Sequence, residues 1–274
     1  MTEQEKNSQL PNGPMPCVPS CDPHRQVFSP DLYGLLREFE DDHFWFQHRS
    51  MLIAMALENY FHNAADFLEI GCGNGVVLGY LEQRFPKVLF VGSDVFVEGL
   101  HFARRRIRRS QLVQADLTRS PFRHEFDVVG IFDVLEHIDN DVLAIGNLFD
   151  SVRPGGGALI TVPQHPFLWS DSDQRACHRR RYTKVELSEK LVRSGFEILE
   201  MVSFISLLLP LVIFSRFLKK VGIGKMKLDE FRIPSSLNKC FKAICSLERL
   251  LLTSGLSIPW GSSLLAVVKK PVSS

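Results

Sequence analysis

The chain has 274 residues, 45% apolar and 23% charged, enough for one full α/β domain with extensions but short for two independent domains. A net charge of +1 removes any global argument for a nucleic-acid or acidic partner. Six cysteines in a chain of this size, with Cys72 inside a glycine loop and Cys240 and Cys245 in an amphipathic stretch, argue against a disulfide framework and fit reduced, cytosolic thiols.

Residues 1–28 carry Pro11, Pro14, Pro16, Pro19 and Pro23 with few large apolar side chains, the composition of a disordered tail. They lack the basic-then-apolar profile of a signal peptide. Cys17, Cys21 and His24 are spaced loosely like metal ligands, without a recognisable fourth. Order is expected from Ser29-Pro30-Asp31, where Ser caps a helix and Pro occupies its first turn. Helices follow over about 30–40 and 47–61. From residue 66, β runs at 67–70, 88–91, 112–114, 126–131 and 158–162 alternate with helical stretches at 75–85, 95–109, 139–152 and 183–194. That alternation predicts a parallel sheet with helices on both faces. Two later β runs, 196–204 and 263–268, bring the count to seven strands, with an apolar-basic helical segment at 206–255 between them.

The first β run opens into Gly71-Cys72-Gly73-Asn74-Gly75 before a helix begins. Glycine there permits positive φ and lets a ligand touch the backbone. Nineteen residues beyond Gly75, the second β run ends in Ser93-Asp94, where an acid can accept both hydroxyls of an adenosine ribose. A dinucleotide site would show Gly-x-Gly-x-x-Gly with the helix start aimed at a pyrophosphate. Here the third glycine comes one residue early and Glu69 precedes the loop. A carboxylate at that point would repel pyrophosphate, yet it can accept from the ammonium of a methionine moiety.

With these residues the chain resembles the class I S-adenosylmethionine-dependent methyltransferases, over about residues 40–200 and again near 260–270. Within them it is most similar to the small-molecule group (types 11 and 12) that includes quinone-biosynthesis enzymes. The resemblance implies a Rossmann-like seven-stranded α/β sheet with helices on both faces and an antiparallel last strand. It implies one methyltransferase domain over 29–274, with 206–255 as a helical insertion. By the same resemblance Glu69, Gly71, Cys72, Gly73, Asn74 and Gly75 line the methionine part, and Asp94 with Val95 binds the ribose. Asp116 and Leu117 flank the adenine, and Asp133 opens the segment Asp133-Val-Leu-Glu-His137 that runs between cofactor and acceptor. Arg153-Pro-Gly-Gly-Gly157 before the fifth strand is also typical of the family. His43-Phe-Trp-Phe46 with Arg49 resembles a front helix that closes over the cofactor, where an arginine can fork onto the methionine carboxylate. The alternative for that segment is core packing for Phe44 and Trp45, with Arg49 solvated.

A sulfonium methyl is already electrophilic, so alignment of the acceptor can supply roughly 7–11 kcal/mol of the rate enhancement. A base is required only for a hydroxyl acceptor that stays protonated near neutral pH. His137, His165 and His178 qualify by position, following the fourth and fifth strands at the carboxyl edge or on the loop beyond it. His165 and His178 are the better placed for an acceptor pocket, because His137 can equally shape the cofactor site. Asp171, Asp173 and His178 show too little convergence for a metal, and none is expected. Arg104-Arg-Arg-Ile-Arg-Arg109 falls off the apolar face of its helix, which reads as a solvated surface rather than a nucleic-acid stripe. Arg175, Arg179-Arg-Arg181 and Lys184 either bind an anionic acceptor group or pair with neighbouring acids.

From residue 201 onward, 11 Lys and Arg face three acids, Asp229, Glu230 and Glu248. The apolar run 205–214 precedes Arg216, Lys219 and Lys220. A helix over 203–218 would reach only about 24 Å against the roughly 30 Å hydrocarbon core, and Pro210 would kink it. Peripheral membrane contact through 206–220 is one expectation for a cytoplasmic protein with a small or lipid-like acceptor. A buried cap over the acceptor or a dimer interface are its rivals. The alternative to catalysis is a noncatalytic S-adenosylmethionine-binding module recruited to a membrane or partner.

Overall fold

A computed structural model of the chain describes residues 31–220 and 233–272. The expected tail at 1–28, with Cys17, Cys21 and His24, and the middle of the insertion lie outside the described residues.

Alternation along the strands dictates three layers. In β1 (Asp66–Ile70), Phe67 packs into one core and Leu68 and Ile70 into another. The same split separates Val128 from Val129 and Ile131 in β4 (Phe126–Phe132), and Leu159 from Ala158 and Ile160 in β5 (Val152–Pro163). In β7 (Ser263–Lys269) it separates Leu265 and Val267 from Leu264, Ala266 and Val268. Strands apolar on both faces need helices on both faces. Helices α2 (Phe44–Tyr60), α3 (Val76–Arg84), α4 (Val97–Arg106) and α9 (Ser235–Thr253) cover the Phe67 side. Helices α5 (Asp141–Ser151) and α7 (Lys184–Arg193) cover the Leu68 side. With β2 (Leu89–Asp94), β3 (Gln111–Gln114) and β6 (Glu197–Phe204), the sheet order is β3-β2-β1-β4-β5-β7-β6. Strands β1 to β5 pair in parallel, and β7 is antiparallel to both β5 and β6, as expected. The carboxyl ends of β1 to β5 therefore share one edge, where such sheets hold ligands.

Two expectations need correction. β5 begins at Val152 rather than 158, because its pairing with β4 jumps from Phe126↔Val152 to Val128↔Gly157. Glycine makes that bulge possible: a Cβ on Gly157 would stand 2.4 Å from the Val268 carbonyl oxygen. Pro210 kinks nothing, because β6 runs to Phe204 and α8 (Leu209–Lys220) starts beside it. Pro210 thus sits in the first turn, where a missing N–H costs no hydrogen bond.

The two described helices of the insertion differ. α9 is a core helix: Phe241 and Cys245 are buried against α2. Asn238 accepts from the Phe44 N–H at 2.9 Å and donates to the Asp42 carbonyl at 2.7 Å. Glu248 accepts from the Ser206 N–H at 3.0 Å. By contrast, α8 leaves Leu211, Ile213, Phe214 and Phe217 exposed. Among the described residues no helix is long and apolar enough to cross a membrane. Arg216, expected to face headgroups, turns inward and donates to the Leu168 carbonyl.

Candidate active site

The glycine loop leaves β1 with Gly71 at φ 70°, and a Cβ there would lie 2.3 Å from a Val134 methyl. Both conformation and contact demand glycine. The loop is fastened to β2 by the Cys72 N–H on the Ser93 carbonyl at 2.9 Å and the Gly73 N–H on Asp94 at 2.8 Å. Asp94 also accepts from the Phe96 N–H at 2.9 Å and from the Tyr33 hydroxyl at 3.4 Å. Burial nonetheless raises its carboxyl to about 6, the backbone donors opposing.

Glu69, on β1, is buried, and its Oε2 has no hydrogen-bond partner. Burial pushes this carboxyl up to about 8, against the pull of the Arg49 charge. A buried acceptor without a donor, beside a loop of three glycines, fits an amino-acid ammonium. At the ends of β1 to β3 a shallow recess is lined by Ile70, Ala115, Leu117 and Phe122 together with the polar Ser93, Asp116 and Ser120. The Asp116 carboxylate caps the short turn Leu117–Arg119, accepting from the Thr118 N–H at 2.8 Å.

Arg49 is buried rather than solvated. It pairs with Asp133, lies 4.6 Å from the Trp45 ring centre, and its Nε lacks a hydrogen-bond partner. Asp133 also accepts from the Thr161 hydroxyl at 3.0 Å. Phe44 and Trp45 pack against the core, as the alternative reading required. Cys72 and Asn74 turn their side chains away from the strand ends. The Cys72 thiol lies in the core, and Asn74 donates to the Tyr33 carbonyl at 2.9 Å and to Glu40 at 3.0 Å. Gly75, at φ 73°, caps α3, and the Val95 carbonyl accepts from Gln114 at 2.9 Å. Tyr33, on α1 (Asp31–Glu40), is the unforeseen member; only the amphipathic pattern of that helix hinted at its burial.

The three histidines sort into two places. His165 lies two residues beyond β5 at φ 63°, a conformation that residues other than glycine seldom adopt, and its ring stacks on Trp260 with centres 5.1 Å apart. Its Nε2 is buried without a hydrogen-bond partner. Burial and then the Arg181 charge lower its proton affinity, so the ring is neutral. His137 and His178 instead meet edge to face at 4.8 Å. Burial, reinforced by His178, lowers His137 to about 4. His178 Nδ1 lies 2.9 Å from Asp173, which heads for the interior from the five-residue helix α6 (Asp171–Arg175). Although burial works against its charge, His178 and Arg181 hold Asp173 well below the usual carboxylate range. Glu136 faces the same cluster, and burial together with the Asp133 charge raises it well above that range. Asp171, once grouped with Asp173 and His178, is exposed. The arginines of 179–181 pair with acids: Arg179 with Asp139, Arg180 with Asp141 and Arg181 with Asp173. Arg106 likewise pairs with Glu40 and Asp41.

Residues 45–201 match a family described as a methyltransferase domain. The chain belongs to that family. Its cofactor is S-adenosylmethionine. The chain is similar to a Mycolicibacterium smegmatis protein named "Probable S-adenosylmethionine-dependent methyltransferase", 26% identical over 58% of this chain and 61% of that one. It is similar to the ubiquinone biosynthesis O-methyltransferase of an Azoarcus species, 27% identical over 36% and 45% of the two chains. Each match spans less than two thirds of the relative's length. The fold also superposes on Haemonchus contortus phosphoethanolamine N-methyltransferase 2 in complex with S-adenosyl-L-methionine, with a TM-score of 0.58 at 16% identity over 90% of this chain and 58% of that one.

Proposed function

We propose that this methyltransferase-family chain methylates an oxygen of a small amphiphilic acceptor, with His165 taking the acceptor's proton. The observation that carries the reading is His165 itself. A neutral imidazole with an unpartnered Nε2 is held in a strained corner at the carboxyl end of β5. Its backbone is fixed on both sides, the His165 N–H donating to the Tyr182 carbonyl at 2.9 Å and its carbonyl accepting from Leu168 at 3.0 Å.

Bound S-adenosylmethionine supplies an electrophilic methyl group on a sulfonium. Glu69 would hold its ammonium, the unused Arg49 Nε would donate to its carboxylate, and Asp94 would accept from its ribose. Asp116 and Leu117 border the base, and Asp133 positions Arg49. His165 Nε2 then receives the proton that a hydroxyl must lose, which contributes typically 10²–10⁴-fold. The rings of Phe167 and Trp260 each lie 5.1 Å from the His165 ring and are exposed, a setting for a flat or chain-like apolar body. The exposed stripe of α8, tied to the same loop through Arg216, extends the apolar surface toward a lipid interface. The O-methyltransferase name of the Azoarcus relative supports an oxygen acceptor.

The test is an extract of cellular lipids and quinones incubated with S-adenosylmethionine and searched for products heavier by one methylene. His165→Gln should cut product formation at least 100-fold while S-adenosylhomocysteine affinity stays unchanged. Undiminished turnover by that variant rules out His165 as the base.

A further inference from the structure

Close to Asp133, a carboxylate oxygen of Glu136 and ring nitrogens of His137 and His178 all lie within 4.8 Å of one another. Glu136 is fully buried, and neither of its oxygens accepts a hydrogen bond. Buried carboxylates ordinarily gather donors, so two bare oxygens call for a positive occupant. The nearest candidate, His178 Nε2, is 4.0 Å away, too far for a hydrogen bond.

The surroundings of His178 sharpen the point. Asp173 stands 2.9 Å from its Nδ1 and is itself fixed by Arg181 at 2.7 Å and the Ser170 hydroxyl at 3.0 Å. An ionised carboxylate only accepts, so it keeps the imidazole proton on Nδ1 and leaves Nε2 as a lone pair. That lone pair then faces the bare Glu136 carboxylate with no donor between them. The His137 ring, also engaged by the backbone of Cys177, brings a second imidazole, the third ligand in all, to the same space. Carboxylate–histidine pairs of the Asp173–His178 kind commonly stand behind metal-bound imidazoles, setting tautomer and direction.

We propose that Glu136, His137 and His178 bind a first-row divalent cation of the zinc type, with Asp173 as the positioning residue behind His178. Two imidazoles and a carboxylate match that class better than calcium or magnesium, which take mostly oxygen ligands. Ligand bonds of about 2.0–2.2 Å require the three atoms to draw together. Three protein ligands leave a coordination position open, as sites that engage a reactant do. Its neighbourhood with the Asp133 and Arg49 charges puts that position beside the cofactor region. The cation site stands apart from the His165 reading, because binding is measured without methyl transfer.

Chelator-stripped full-length protein titrated with Co(II), followed by its visible ligand-field absorption and by calorimetry, provides the test. We expect one Co(II) per chain, displaced stoichiometrically by Zn(II). Asp173→Asn should weaken binding about 10–100-fold, and His137→Ala combined with His178→Ala should abolish it. Absence of saturable binding by the wild type overturns the proposal, because a proton shared by His178 and Glu136 then fills the gap. Binding that survives loss of both histidines overturns it too. If the double variant fails to fold, carbethoxylation of the wild type read by mass spectrometry decides. Zn(II) must protect His137 and His178, and unchanged labelling rejects the site.

Discussion

The ends of β1 to β4 and the β5–β6 side of the same edge are built by different means. Around the glycine loop, backbone groups do most of the holding: Gly73 and Phe96 both donate to Asp94, and Cys72 is pinned to Ser93. Beyond β5, side chains on short turns make the contacts: Asp173 with His178 and Arg181, His165 with Trp260, and the Arg216 guanidinium with the Leu168 carbonyl. The first arrangement suits a ligand of fixed shape, because strand ends move little. The second can be altered residue by residue without disturbing the sheet, as loops on a rigid scaffold allow. One fold thus joins a half held by backbone groups to a half held by side chains, and each responds differently to mutation.

The largest effect is expected at Asp94. Its carboxylate gathers two backbone donors, and hydrogen bonds to a charged group are worth about 1.5–3 kcal/mol each. Asp94→Ala would free the loop and remove the ribose acceptor together, lowering S-adenosylhomocysteine affinity on the order of 100-fold or more by titration calorimetry. Circular dichroism should report an intact fold. A loss under threefold would show that the loop holds its shape without β2, and the contrast between the halves would fail.

Glu69 sharpens the same half through pH. Its carboxyl is raised from 4.5 to about 8 in the folded chain, so the native state binds the proton more tightly than the unfolded one. The fold therefore loses stability as pH rises from about 4.5 to about 8, and the loss levels off above that. An incoming ammonium favours the ionised carboxylate and expels the proton. Binding of S-adenosylhomocysteine at pH 7 should release close to one proton, seen as different apparent enthalpies in phosphate and Tris. Affinity should rise from pH 6 toward pH 8. In Glu69→Gln the buffer dependence should vanish; if it persists, the proton comes from another group.

This division also marks what the sequence could reveal. Seven strands and the parallel pairing of the first five follow from apolar alternation and from turns that act within a few residues, while the antiparallel last strand was implied only by the family resemblance. Glu69, Asp94 and Asp133 were legible because each sits where a strand ends. The Glu136–His178 approach spans 42 positions and the Arg49–Asp133 pair spans 84, so no local pattern could announce either. Tyr33 was hidden for the same reason, since only tertiary packing brings α1 over Asp94. α9 looked like part of a surface insertion because its cysteines and leucines read as amphipathic. Its docking depends on Asn238 and Glu248, whose partners lie far away or across a loop. Pro210 misled because a proline marks either a kink or a first turn, and the end of β6 decides which.

The smallest expected effect on stability lies on α8, and it is the most informative about the half beyond β5. Phe214 and Phe217 are 57% and 61% exposed, so neither contributes much to the core. Changing both to Asp should shift unfolding by no more than about 0.5 kcal/mol, as for ordinary surface positions. Their removal should matter only where an apolar surface meets another. Flotation with liposomes rich in anionic lipid should carry the wild-type protein upward and leave the double variant in the soluble fraction. A wild-type protein that remains wholly soluble would mean that the stripe meets no bilayer and serves a soluble acceptor instead. Equal flotation of both proteins would assign membrane contact to another face, and the exposed aromatics around His165 would then be the next to change.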